Sequence, residues 1–391
     1  MNILFVTHAP PSPPTDGARV IMHNLARVLS ARHTLYLATF ADANDVRAPI
    51  PFFAGAQFFL PRVMPRRQKW AYSFADALPL WVRAYASPEL RAALSGMVTR
   101  AKIDVVHLDT GMMAQYADAL AVPTVLAPHD ALSLQLQDRA KHSPHWWARA
   151  VMRVQYKKML AYEKKYYPRA TCVCVVTARE QEFLQTLAPR MRVRVIPNGV
   201  DTDFFAPQNI TPAPHSLGFL GAMDYAPNQT AVMYFAQNIL PRIWRAVPDA
   251  TFTIIGRNPA REIYALAGDA RIRVTGTVDD VRPHVAAQSV MVCPILAAGG
   301  IKNKLLEALA MGKAVVATRA AAQGASVRAA QELFLAEDEN NFAAACVQLL
   351  NDAALRECLG QDARAWALTQ SWQACAAQYE ALYAEAITYG A

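Results

Sequence analysis

Apolar residues along this chain keep switching between two spacings. Ile3–Thr7 is an unbroken apolar run of strand length, and Gly17–Ala31 spaces its apolar residues three and four apart, as an amphipathic helix does. Strand-like runs recur at Thr34–Phe40, Asp104–Asp109, Pro123–Pro128, Ala170–Thr177 and Val193–Pro197. Helical stretches lie among them, at Glu89–Ala101, Trp146–Tyr166 and Arg179–Leu187. Strand–helix alternation of this kind predicts an α/β fold with a parallel sheet and helices on both faces.

The turn Pro197-Asn198-Gly199-Val200-Asp201 and a loop holding Pro207, Pro212 and Pro214 interrupt the pattern and mark a domain boundary. Alternation then restarts. Strands are expected at Leu217–Leu220, Thr251–Gly256, Ile272–Thr275, Val290–Pro294 and Ala314–Thr318. Helices are expected at Thr230–Arg245, Arg261–Ala267, Val281–Ala287, Asn340–Leu350, Ala353–Ala367 and Trp372–Tyr383. The expected organisation is two Rossmann-like domains, 1–205 and 206–370, facing across a cleft. A helix in 371–391 is expected to pack back toward the first domain. Ligands of open parallel sheets sit beyond the carboxyl ends of the strands, so the cleft is the expected site.

Composition narrows the function classes. With 391 residues, 53% hydrophobic and 18% charged, the chain can build large cores, and disorder is excluded. No apolar run reaches the roughly 20 residues of a membrane span. Met1–Thr7 is too short for a secretory signal, so a cytoplasmic protein, soluble or bound at a membrane surface, is expected. The six cysteines are scattered. Cys172 and Cys174 alternate along an apolar strand, which reads as core rather than as a metal site, and no metal is expected. Charge is unevenly shared: residues 1–205 hold 25 Lys and Arg against 15 Asp and Glu, and the remainder hold 14 against 16. The two halves are expected to meet different partners.

The most informative stretch is 299–318. Gly299 and Gly300 allow a tight turn, Ile301, Lys302, Asn303 and Lys304 follow, and a helical run carries one carboxylate, Glu307. Gly312 stops that helix before the apolar strand Ala314–Thr318. A glycine turn opening a helix offers free N–H groups and a positive dipole end, which suits phosphate. The lysines add charge, and the carboxylate can accept hydroxyl hydrogen bonds. A diphosphate joined to a ribose meets those demands.

Taken in order, the motifs resemble the retaining family 4 glycosyltransferases of the GT-B fold, and within them bacterial exopolysaccharide-associated sugar transferases. The pieces are Asp16-Gly17-Ala18-Arg19, Ala127-Pro128-His129-Asp130, Ile196 to Asp201, Phe219 to Asp224 with Pro227-Asn228, Ile254-Ile255-Gly256, Gly276 to Asp280, the 299–318 run, and Ser371-Trp372. The resemblance implies transfer of a sugar from a nucleotide diphosphate sugar, UDP- or GDP-linked, to a hydroxyl acceptor. It implies retention of configuration, no metal or other cofactor, and a nucleotide held by the second domain.

It also implies roles residue by residue. Glu307 matches the family's second motif glutamate, which binds ribose. The first motif glutamate is replaced by Gly299, a departure that puts the sugar contact in question. The family's Arg–Lys pair after the first strand of the second domain is also missing, since Gly221 to Asn228 holds no cation. Lys304, and beside it Lys302, become the candidate diphosphate clamps. Gly17 and Arg19 are expected near the donor phosphate. His129 and Asp130 are expected at the reacting carbon, with a helix cap as the plainer reading of Asp130. Asp109 is expected to orient the acceptor, and Arg257 and Val278 to flank the base.

Two basic clusters remain: Arg62, Arg66, Arg67, Lys69 and Trp70, and the stretch from Arg139 to Arg169 with Trp146, Trp147 and Arg149. Tryptophan among cations suits an anionic membrane surface, where a polyprenyl-linked acceptor would sit; the alternative is a solubilising helix face. No nucleic-acid recognition motif is present, so nucleic acid is not an expected partner. Against the transferase stand two other readings, an NDP-sugar epimerase or hydrolase of the same fold and a catalytically silent binding homologue.

Overall fold

Among the described residues, seven parallel strands form the first sheet: β1 (Asn2–Thr7), β2 (Thr34–Phe40), β3 (Gly55–Phe59), β4 (Val105–Asp109), β5 (Thr124–His129), β6 (Cys172–Val175) and β7 (Val193–Val195). Their spatial order is β3-β2-β1-β4-β5-β6-β7. The direction of winding reverses between β1 and β4, and that reversal leaves a crevice at the carboxyl ends of these strands. The computed structural model describes residues 1–41, 50–62, 76–142, 146–296, 302–325 and 327–390.

Because side chains alternate across a pleated strand, each strand feeds two separate cores. Leu4, Val6, Leu126, Val173 and Val175 face one; Ile3, Phe5, Val125, Cys172 and Cys174 face the other. Both cysteines are therefore core side chains, and burial pushes the Cys174 thiol up to about 12. The second core is closed by the helix Gly17–Leu29 and by the final helix Trp372–Gly390, whose Trp372, Tyr379 and Tyr383 are fully covered. The chain divides accordingly into two units, Met1–Pro197 with Trp372–Ala391, and Asn198–Ser371.

Among the described residues the second unit holds six parallel strands: β8 (Ser216–Leu220), β9 (Thr251–Ile255), β10 (Ile272–Val274), β11 (Val290–Cys293), β12 (Ala314–Thr318) and β13 (Phe334–Ala336). Their order is β10-β9-β8-β11-β12-β13, with the reversal between β8 and β11. One departure from the sequence pattern has a clear cause. The single helix expected at Thr230–Arg245 starts earlier, at Ala226, and is broken by a π turn at Phe235–Ile239. Pro241 has no N–H to donate and its ring crowds the preceding turn, so the helix widens just before it and resumes at Leu240–Ala246.

The first unit also buries a carboxylate, Glu163, which is 1% exposed. Ser133 donates to it from both its backbone N–H, at 3.0 Å, and its hydroxyl. Burial raises the Glu163 pKa from 4.5 to about 7, more than the Ser133 hydrogen bonds lower it. The folded state therefore holds a proton that the unfolded state releases near pH 4.5. Stability is full below that pH and falls as pH rises toward 7, by on the order of 3 kcal/mol from this group. Glu163→Gln is expected to flatten that slope, read as urea midpoints at pH 5 and pH 8. An equal slope in the variant would mean that Glu163 is already ionised in the fold.

Candidate active site

In the second unit, the loops leaving β8 and β9 run against each other. The Gly221 N–H donates to the Ile255 carbonyl at 2.9 Å and that of Met223 to the Arg257 carbonyl at 2.8 Å. Gly256 sits at φ +153°, and a Cβ there would lie 1.8 Å from the Gly221 oxygen. Only glycine permits this approach. Val278 is half-buried in the loop after β10, and Thr275 at the end of β10 accepts from the Gly256 N–H at 3.3 Å.

Into this corner comes the helix Asn303–Ala310, which follows β11 and buries Leu305, Leu306 and Leu309. Gly312 ends it at φ +66°, as its sequence position predicts. Lys304, in the first turn, donates from Nζ to Asn228 Oδ1 at 2.7 Å. Its ammonium lies 5.6 Å from the centre of the Phe219 ring on β8, and its Cε would be 2.9 Å from a Cβ at Gly221. The loop after β8, which holds no Lys or Arg from Gly221 to Asn228, is thus met by a cation from a helix some eighty residues further on. Asn228 is fixed in turn by donating to the Ala222 carbonyl at 2.8 Å.

Glu307 lies one turn along the same helix. Burial raises it to about 7, against the pull of Lys304. Burial lowers Lys304, against the pull of Cys293 and Glu307. Lys302 occupies the N-cap position without a side-chain cap bond. The Asn303 side-chain oxygen is buried without a hydrogen-bond partner among the described residues. Gly299, Gly300 and Ile301 lie outside the described residues.

In the first unit, Asp109 ends β4 and His129 ends β5. His129 Nε2 is 2.9 Å from Asp109 Oδ1. His129 takes φ +63° and Thr110 φ +71°, a region that non-glycine residues seldom occupy. Burial alone would lower the His129 pKa, but Asp109 raises it above the usual value. Burial would raise Asp109, yet His129 and His107 together hold it well below the usual carboxylate range. Two buried polar atoms of this pair, His129 Nδ1 and Asp109 Oδ2, have no hydrogen-bond partner among the described residues. One is a donor when the ring is protonated and the other an acceptor, a combination that a hydroxyl can satisfy.

Asp16 caps the helix Gly17–Leu29, accepting from the Arg19 N–H at 3.0 Å, and it also pairs with the Arg19 side chain at 3.3 Å. At Gly17 no described atom lies within 4 Å of where a Cβ would point. Asp130 follows His129 and acts electrostatically on both His129 and Glu180. Trp146 and Arg149 are exposed on the helix Trp146–Tyr166. Arg66, Arg67, Lys69 and Trp70, and the side chain of Trp147, lie outside what the structure describes. Among the described residues no helix is long and apolar enough to cross a membrane.

Three participants escaped the sequence reading. His8 follows β1 directly, as Asp109 and His129 close their strands, so testing every strand's carboxyl end would have found it. His107 is two residues before Asp109, on the same face of β4. Tyr383 is 276 residues from the His107 ring it touches, and no local pattern signals that contact.

Residues 15–204 match the family model described as Glycosyltransferase Family 4, and residues 214–352 match the one described as Glycosyl transferases group 1. The chain belongs to the family 4 glycosyltransferases. No curated protein matches it by sequence. Solved structures match nearly its whole length. Sucrose-phosphate synthase from Thermosynechococcus elongatus is 17% identical, with a TM-score of 0.72 over 99% of each chain. HepE of Anabaena, solved in complex with UDP, is 16% identical with a TM-score of 0.70, over 98% of this chain and all of that one. WaaG, a glycosyltransferase involved in lipopolysaccharide biosynthesis, is 15% identical with a TM-score of 0.62, over 97% of this chain and 99% of its own. At such identities the likeness establishes the GT-B fold, and this family 4 glycosyltransferase has its two Rossmann-like domains.

Proposed function

We propose that this glycosyltransferase moves a sugar from a nucleotide diphosphate sugar to a hydroxyl acceptor, with retention of configuration and without a metal. One observation carries the reading. Lys304 is brought to the carboxyl end of β8, beside Gly221 and bonded to Asn228, where a diphosphate needs a cation that the loop itself lacks. An ammonium on the departing phosphate stabilises charge that grows in the transition state. Glu307, one turn on, accepts hydrogen bonds from the ribose hydroxyls; Lys302, with Gly299, Gly300, Ile301 and Asn303, binds the diphosphate, and Arg257 and Val278 flank the base.

His129, with its open Nδ1, addresses a hydroxyl of the transferred sugar, and Asp130 and Arg19 border that site. The acceptor hydroxyl attacks from the face that the leaving phosphate vacates, and a phosphate oxygen takes its proton. A uridine nucleotide is favoured by HepE, which has been solved with UDP-glucose. The acceptor is a polyprenyl-linked or saccharide hydroxyl in bacterial polysaccharide or glycolipid assembly. Trp146 and Arg149 on the basic helix support a site at the inner, anionic face of the membrane.

A thermal-shift comparison of UDP-, GDP- and ADP-glucose tests the donor. At about 100 times its Kd the true nucleotide is expected to raise the unfolding midpoint by roughly 5 °C or more. Glu307→Ala is expected to abolish that rise. No shift with any of the three, or the same shift in the variant, would remove the donor assignment.

A further inference from the structure

Behind the Asp109–His129 pair lies a second buried histidine that the proposed chemistry does not use. His107 is 0% exposed. Its ring stacks on Phe5 at 4.6 Å and 23° and meets Tyr383 of the final helix edge-on at 6.0 Å. The Tyr383 hydroxyl is 2.8 Å from His107 Nδ1. On the far side of the ring, His107 Nε2 lies 3.6 Å from Asp109 Oδ1. That oxygen is the one that also receives His129 Nε2 at 2.9 Å. Four side chains from three elements therefore form one line: Tyr383, His107, Asp109, His129.

The protons along this line are constrained. Burial, more than Asp109 can offset, keeps the His107 pKa below its usual value, so the ring is neutral and carries one N–H. Were that proton on Nδ1, the Nε2 lone pair would face a buried carboxylate. With the tyrosine hydroxyl donating to Nδ1, the proton sits on Nε2 and points at Asp109. We propose that Tyr383 and His107 are positioning residues, which hold the Asp109 carboxylate against His129 Nε2 and so fix that ring with its Nδ1 open to an incoming oxygen. The assignment of that oxygen to the sugar donor rests on the proposed function; the relay itself does not.

Other charged groups act on the same ring. Asp130 and Glu180 raise its pKa beside Asp109, and it is electrostatically linked to His8, which burial lowers and which Asp16 and Arg19 also influence. These groups are unchanged in the variants below, so their effect cancels in the comparison.

The test is a 15N-histidine NMR titration of the full chain. In the wild type, His107 is expected to be the neutral Nε2–H tautomer and to titrate below the usual value, and His129 to titrate above it. In Tyr383→Phe, the His107 ring loses the hydroxyl that fixes its orientation, so its Nε2–H no longer holds the shared Asp109 oxygen in line with His129. The His129 midpoint is expected to fall by roughly one unit, a tenfold loss in proton affinity. Asp109→Asn, isosteric and independent of Tyr383, is expected to drop the midpoint below about 6.5, since burial then dominates. A His129 midpoint unchanged in either folded variant, or His107 found as the Nδ1–H tautomer in the wild type, would overturn the relay. Because the readout needs no turnover, a chain that showed these shifts but bound none of the three nucleotide sugars would sink the donor assignment and leave the relay standing.

Discussion

Replacing Lys304 with methionine is expected to lower kcat/KM for the nucleotide sugar by roughly 10²–10³, about 3–4 kcal/mol of transition-state stabilisation. Methionine isolates the charge. It keeps the apolar stem, which lines a small cavity with Leu220, Val292, Cys293 and Leu305, and deletes only the ammonium that reaches Asn228. The site is desolvated enough to lower the lysine's own pKa, so its charge is poorly screened and acts strongly on a diphosphate. The same burial means that the charge costs free energy when no anion is bound. Stability of the unliganded variant is therefore expected to be unchanged or slightly higher. Steady-state kinetics beside urea unfolding separates the two effects. Turnover within about threefold of wild type, in a folded variant, would remove Lys304 from the leaving-group role.

A second large effect is expected from Gly256→Ala, this time on stability. The backbone at φ +153° is one that an alanine seldom adopts, and the new methyl would sit 1.8 Å from the Gly221 carbonyl oxygen. Both obstacles are backbone, so no side chain can rotate away. Relief requires the β8 and β9 loops to part, which breaks the bonds from Gly221 to Ile255 and from Met223 to Arg257. A loss of more than about 3 kcal/mol is expected, with the unfolding midpoint of Asn198–Ser371 falling by roughly 10 °C. Calorimetry of the full chain reads this directly. A midpoint within about 2 °C of wild type would mean that the two loops are not packed as described.

Most strands and long helices were legible because their period is local: β1, β4 and β5 are apolar runs whose carboxyl ends could be marked in advance. Gly55–Phe59 was not, since none of its five residues is fully buried and an edge strand carries little apolar signal. Leu132–His142 has low mean hydropathy and was likewise missed. The site divides the same way. Lys304 and Glu307 share one helix and could be paired by eye, and Asp109 and His129 were found as strand ends. The bond from Lys304 to Asn228 spans 76 residues, and the contact between Tyr383 and His107 spans still more. Packing decides such contacts, and no short-range pattern encodes them.

The final helix carries a consequence for how the chain is made. Asn198–Ser371 begins and ends at one place, where Val200 pairs with Ser371 and donates to the Gln370 carbonyl at 2.9 Å. It is a complete insert, able to close its own core while synthesis continues. The unit begun first has no such freedom. One face of its sheet, around Phe5, Val125 and Cys174, is covered by the helix Gly17–Leu29 together with residues from Trp372 onward. Strands made before the insert must therefore wait for a helix made after it, and Asn198–Ser371, though made later than those strands, is the unit that can be finished first.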